Sequence, residues 1–77
     1  MSEATHPVVP TSDGTIRLGQ FLKLAGLADS GAQARALLEE GEVSVNGEAE
    51  SRRGRQLAVG DVVAVATPQG ETGAVVG

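Results

Sequence analysis

Arg52, Arg53 and Arg55 place three guanidinium groups within four residues, spaced by Gly54. A guanidinium is planar and always charged, and it can fork two N–H bonds onto the oxygens of a phosphate. Gly54 would also let the backbone approach such a ligand. The same residues have a plainer use, as a solvated loop whose arginines answer Glu48 and Glu50. The other basic residues are Arg17, Lys23 and Arg35, all predicted to lie off the apolar stripes of helices. Arg35 also has Glu39 at i+4, a spacing that favours a surface ion pair. These six are the whole basic complement of the chain, and together they form the candidate polyanion-binding set.

Other chemistry finds little support. Glu39, Glu40 and Glu42 are close in sequence, but neighbouring helical residues point in different directions, so they make a poor metal or acid–base cluster. His6 is the only histidine and is expected to be a solvated tail residue. With no cysteine there is neither a thiolate ligand nor a disulfide. No nucleophile–base pair and no glycine-rich P-loop is present. The expectation is a protein without catalytic activity, cofactor or metal. Asp61 and Asn46 read as turn residues. Phe21 is the sole aromatic side chain and falls on a core stripe. Base stacking, which dominates single-strand recognition, is therefore not available. Binding to a nucleic acid would rest on phosphates and on the shape of a folded molecule.

The net charge of −4 is unusual for a nucleic-acid binder. All the basic residues nevertheless lie between Arg17 and Arg55, so a positive face must arise by segregation in space. Seventy-seven residues, 40% of them hydrophobic, suffice for one domain with an aliphatic core. The first seven residues have neither a basic start nor an apolar stretch, which predicts no secretory signal. No run approaches the roughly 20 apolar residues of a membrane span. A cytoplasmic protein with no membrane contact is expected.

The elements that must carry these residues follow from periodicity. Leu18, Phe21, Leu22 and Ala25 form one helical stripe that Gly26 should end. Ser30 is a good N-cap and Gln33 completes a capping-box pattern. Ala34, Leu37 and Leu38 give the second helix its apolar face, and Gly41 should end it. About four residues join the helices, so a helix-turn-helix unit is predicted. After Gly41 the period falls to two, with Val43 and Val45 followed by Asn46-Gly47, the preferred pair for a type I′ turn. Glu48-Ala49-Glu50 reads as the return strand. Gly60-Asp61 marks a second turn before the strand Val62–Val65. The fold class predicted is α+β, two helices on a small antiparallel sheet. Residues 1–14 read as a flexible arm, 15–66 as the domain and 67–77 as a tail. Periodicity leaves open whether Ala74-Val75-Val76 adds a short strand.

The segments Arg17-Leu18, Ser30-Gly31-Ala32-Gln33-Ala34-Arg35, Leu38 to Gly47 and Gly60-Asp61-Val62-Val63 resemble the S-four (αL motif) RNA-binding domain. That domain is named after the fourth small-subunit ribosomal protein. Leu22-Lys23-Leu24 and the basic stretch after the hairpin are similar to its stand-alone bacterial, YbcJ-type members. The resemblance implies binding of structured RNA, rRNA or tRNA-like, by a monomer with possible ties to the ribosome. It assigns the contacts to Arg17, Lys23, Arg35, Arg52, Arg53 and Arg55. Many members carry Arg directly after the capping serine, where this chain has Gly31, and Arg35 one turn on would take over part of that contact. The competing expectation is a protein-interaction module on the same fold, favoured by the overall acidity. A third expectation, a subunit that brings an enzyme to RNA, shares the same residues.

Overall fold

The computed structural model describes residues 6–12 and 14–77. The chain runs β1 (Val8–Val9), β2 (Thr15–Arg17), α1 (Leu18–Leu24), α2 (Gly31–Glu39), β3 (Val43–Val45), β4 (Glu48–Ala49), β5 (Gln56–Ala58), β6 (Val62–Thr67) and β7 (Gly70–Val76). Five strands form one sheet in the order β1-β7-β6-β3-β4, while β2 and β5 pair separately. All pairings are antiparallel except β1 with β7. The fold is α+β, as the change of period after Gly41 predicts.

The helical stripes pack where their spacing puts them. Leu18, Phe21 and Leu22 of α1 and Ala34 and Leu38 of α2 are buried. They share one core with Val43, Val45, Val63, Val65, Ala74 and Val76 of the large sheet and Leu57 of β5. Ser30 caps α2 by accepting from Gln33 N–H at 3.1 Å. The Gln33 side chain reaches one residue further than a standard capping box and accepts from Asp29 N–H. Gly26 and Gly41 take φ of +75° and +74°, the left-handed geometry that ends a helix without a Cβ clash. The connection between the helices is residues 25–30, longer than the four residues expected.

Asn46 and Gly47 have φ of +53° and +87°, the signature of the I′ turn. Its two flanking strands pair Val45 with Glu48.

Both ends differ from the sequence expectation. The arm was expected to carry no element through residue 14, yet Val8 and Val9 pair in parallel with Val75 and Val76. Two residues are too few to show a period, and their partner lies at the other end of the chain. The part of the expected arm at residues 1–5 and 13 lies outside the described residues. His6, expected to be solvated, is half-buried, with its ring over Gly73. The expected tail forms β7, paired with β6 from Val62↔Val75 to Thr67↔Gly70. Two glycines and Glu71 give Gly70–Gly73 little strand propensity of its own; the hairpin with β6 imposes it. Ala74 and Val76 then complete the core.

Candidate nucleic-acid interface

The six basic residues separate into two sets of three. Arg17, Lys23 and Arg53 line one open cleft of about 430 Å³, together with Gly19, Gln20, Gly31, Ala34 and Gly54. No carboxylate of the described residues lines this cleft. Among the described residues, none of these three cations has a carboxylate within ion-pair distance. Arg35, Arg52 and Arg55 are instead paired with acids.

The cleft is assembled by α1, the start of α2 and the loop between β4 and β5. Arg17 sits at the N-cap of α1, where its backbone N–H donates to Gln20 Oε1 at 3.4 Å. Lys23 lies on the exposed side of the same helix, opposite the stripe that enters the core. Gly31 is the first residue of α2 and is exposed, with open space where a Cβ would stand. The absent arginine of the family pattern thus leaves that side of the cleft bare.

Arg53 reaches the cleft because the loop docks on the first turn of α1. The first amides of a helix have no partner within it. Here Leu18 N–H donates to Arg55 O at 2.8 Å and Gly19 N–H to Arg53 O at 2.9 Å. Gly19 also makes room for the Arg53 side chain, since a Cβ would meet Arg53 Cγ at 2.7 Å. A glycine inside a helix costs about 1 kcal/mol relative to alanine, so Gly19 needs a reason, and this close approach supplies it. Sequence reading passed over Gly19, although a glycine next to the buried leucine of a helix stripe is the usual mark of close packing.

Arg52 and Arg55 converge on Glu50, whose side chain is only 9% exposed. Arg52 Nε and Arg55 Nη1 lie 3.1 and 3.0 Å from its two oxygens. The backbone N–H groups of Ser51 and Arg52 also donate to Glu50 Oε2, each at 3.0 Å. The Arg52 guanidinium and backbone N–H, followed by Arg55, hold this carboxyl at a pKa of about 2 against the opposing effect of burial. Arg52 and Arg55 thus answer Glu50, one of the two acids expected to meet them, while Arg53 pairs with no acid among the described residues. Arg35 Nε is 3.4 Å from Glu39 Oε2, with both side chains about two-thirds exposed. Such a pair is worth about 0.3–0.5 kcal/mol, so it holds Arg35 only loosely.

Among the described residues no group of three or more His, Cys, Asp or Glu is placed to hold a metal ion. No helix among the described residues is long and apolar enough to cross a membrane.

The chain is 58% identical over 50 residues to a Bacillus subtilis (strain 168) protein named as a probable ribosome maturation protein, RlbA. That stretch covers 65% of this chain and 70% of the relative. It is 39% identical over 51 residues to YbcJ of Escherichia coli (strain K12), provisionally named as RNA-binding, covering 66% of this chain and 73% of that one. The S4 domain model matches residues 9–76, from the second residue of β1 to the last of β7. The terminal strands thus belong to the domain along with the helix pair and hairpin, and the chain is a member of the S4-domain family.

Proposed function

We propose that this protein is a non-catalytic, cytoplasmic RNA-binding module that grips the phosphates of a folded RNA in the cleft between α1, α2 and the β4–β5 loop. The observation that carries this reading is the convergence of Arg17, Lys23 and Arg53 on one concave surface that no carboxylate of the described residues lines. Three cations together on a concave surface concentrate positive potential despite the net charge of −4. The names of the Bacillus and Escherichia relatives, ribosome maturation and RNA-binding, point the same way and favour rRNA in a ribosome-associated setting. Arg35, one turn along α2 from Gly31 and held only by a weak surface pair, would add an outer contact beyond the cleft lining. Arg52 and Arg55 stay outside it, held by Glu50.

Fluorescence anisotropy with labelled rRNA fragments tests this. If the three cleft cations engage three phosphates, their contribution to affinity falls by about 1.3–1.6 decades between about 50 and 200 mM salt. Replacing Arg17, Lys23 and Arg53 with alanine should remove that contribution, with similar loss across RNA sequences, since phosphate contacts do not read bases. Equal affinity and equal salt slope in parent and triple variant would show that the cleft is not the site.

The protein-interaction reading has its own supporting observation. Glu39, Glu40 and Glu48 are exposed at the end of α2 and on the edge strand β4. A parent that binds no structured RNA at low salt makes that reading the better one.

A further inference from the structure

We propose that Glu50 is a positioning residue for RNA binding, an acid on which the placement of Arg53 in the cleft depends. The inference rests on the RNA-binding reading above and names a residue that acts through another. Simple electrostatics gives the opposite expectation, since removing an acid near a polyanion site should strengthen binding.

The geometry favours the positioning role. Glu50 does not line the cleft. Its oxygens face the loop, and they accept from both ends of it: Ser51 N–H and Arg52 N–H at the start, and Arg55 Nη1 at the finish. Arg52 Nε and Nη2 add two more bonds at 3.1 and 3.3 Å. Between these anchors the chain turns tightly, with Arg55 N–H donating to Arg52 O at 3.2 Å. Closing the loop in this way aims Arg53 O and Arg55 O at the amides of Gly19 and Leu18. The Arg53 side chain is then laid across Gly19 toward the cleft.

No apolar anchor shares the task. Residues 51–54 are all exposed, and the first core residue after β4 is Leu57. A loop without buried side chains opens easily unless polar bonds hold it. Here the loop's side-chain bonds meet at one carboxylate, which commits two arginines to keep a third in place. Arg53 and Arg55 O, through the helix amides, in turn satisfy donors that would otherwise be orphaned at the start of α1.

The experiment combines affinity, a double-mutant cycle and amide exchange. Glu50→Gln should weaken binding of a labelled rRNA fragment by about fivefold or more, within the range of coupling inside one hydrogen-bond network. Glu50→Asp should also weaken it, although the charge is unchanged, because the shorter side chain cannot span both ends of the loop. In an Arg53→Ala background neither substitution should have any further effect, since Glu50 acts through Arg53. In the free protein, Glu50→Gln should speed exchange of the Leu18 and Gly19 amides while leaving those of Val63 and Val65 protected. That last measurement separates an opened loop from a damaged fold.

Tighter binding with a steeper salt slope in Glu50→Gln would make Glu50 a competitor for Arg52 and Arg55, and the proposal wrong. Additive losses in the Arg53→Ala background, or unchanged exchange at Leu18 and Gly19, would also overturn it. These failures leave the cleft reading standing. A parent that binds no folded RNA removes that reading and the role of Glu50 together.

Discussion

Asn46 Nδ2 donates to Asp61 Oδ1 at 3.1 Å and so ties the β3–β4 turn to the turn before β6, fifteen residues on. The link is reinforced on both sides. Asn46 Oδ1 accepts from Val62 N–H at 2.9 Å, and Asp61 Oδ2 accepts from Ala58 N–H at 2.9 Å. Each residue first suits its own turn: Asn tolerates positive φ, and Asp accepts from a nearby backbone amide. Their side chains have enough acceptors and donors left to bridge the two turns.

Asp61→Ala should therefore lower stability by about 1.5–3 kcal/mol, the range for hydrogen bonds to a charged group. Asn46→Gly keeps the turn geometry and removes only the bridge, so its cost should be smaller, about 1 kcal/mol. Urea midpoints measure both. Unchanged midpoints in the two variants would mean that the bridge contributes nothing.

Gly47→Val tests the turn itself. Open space surrounds the position where the Cβ would stand, so steric collision is not the issue. The cost is backbone strain, because a β-branched residue resists φ of +87°. A loss of about 1–3 kcal/mol in a urea melt is expected. Coincident melts of mutant and parent would show that the hairpin tolerates another turn type.

The middle of the chain was legible because its signals are local. Ser30 with Gln33, Asn46 with Gly47, and the period change at Gly41 each fix an element within a few residues. The ends were not legible, because their structure is set by partners far along the chain. Val8 and Val9 become a strand only beside Val75 and Val76. The interface was half legible for the same reason. Sequence proximity grouped Arg52, Arg53 and Arg55, but the fold sends Arg53 to Gly19 and the other two to Glu50. Nothing local to residues 52–55 shows that α1 has two amides waiting for that loop.

The N-terminal strand yields a third prediction. Deletion of residues 1–9 should lower stability by at least about 1–3 kcal/mol, since each backbone hydrogen bond lost contributes about 0.5–1.5 kcal/mol net. The bonds lost include Val75 N–H to Pro7 O and Gly77 N–H to Val9 O, both 2.8 Å, which flank the β1–β7 pairing. Val9 also packs against the core. Thermal melts would decide it, and an unchanged midpoint would make the segment a free arm after all.

Acid should weaken the domain through Glu50 and Asp61. Both carboxyls have folded pKa values below their ordinary range, Glu50 through Arg52 and Arg55, Asp61 through Ala58 N–H and Asn46. A group with a lowered folded pKa adds stability above its unfolded value and loses it as pH falls toward the folded one. For Glu50 the window runs from 4.5 down to about 2. Urea midpoints should fall across that window in the parent and fall less in Glu50→Gln. Parallel pH profiles in the two proteins would show that Glu50 is not linked to folding.

Gly31→Arg offers a gain of function in place of a loss. Gly31 opens α2 at the lip of the cleft, is exposed, and has nothing near its absent Cβ. Its φ lies outside the left-handed region, so a side chain brings no backbone strain. Arginine is also a better helix former than glycine, so the fold should not suffer. The substitution would add a fourth cation to Arg17, Lys23 and Arg53 at the position where many S4-type domains carry one. One more phosphate contact steepens the salt dependence by about 0.7–0.9 in slope. Affinity for a folded rRNA fragment should rise most at low salt and converge on the parent as salt increases. The increase should also persist in Arg52→Ala/Arg55→Ala, since those residues stand at Glu50 and outside the cleft. Anisotropy titrations at several salt concentrations would read both effects. The same affinity and the same slope as the parent would mean that the start of α2 does not face the RNA.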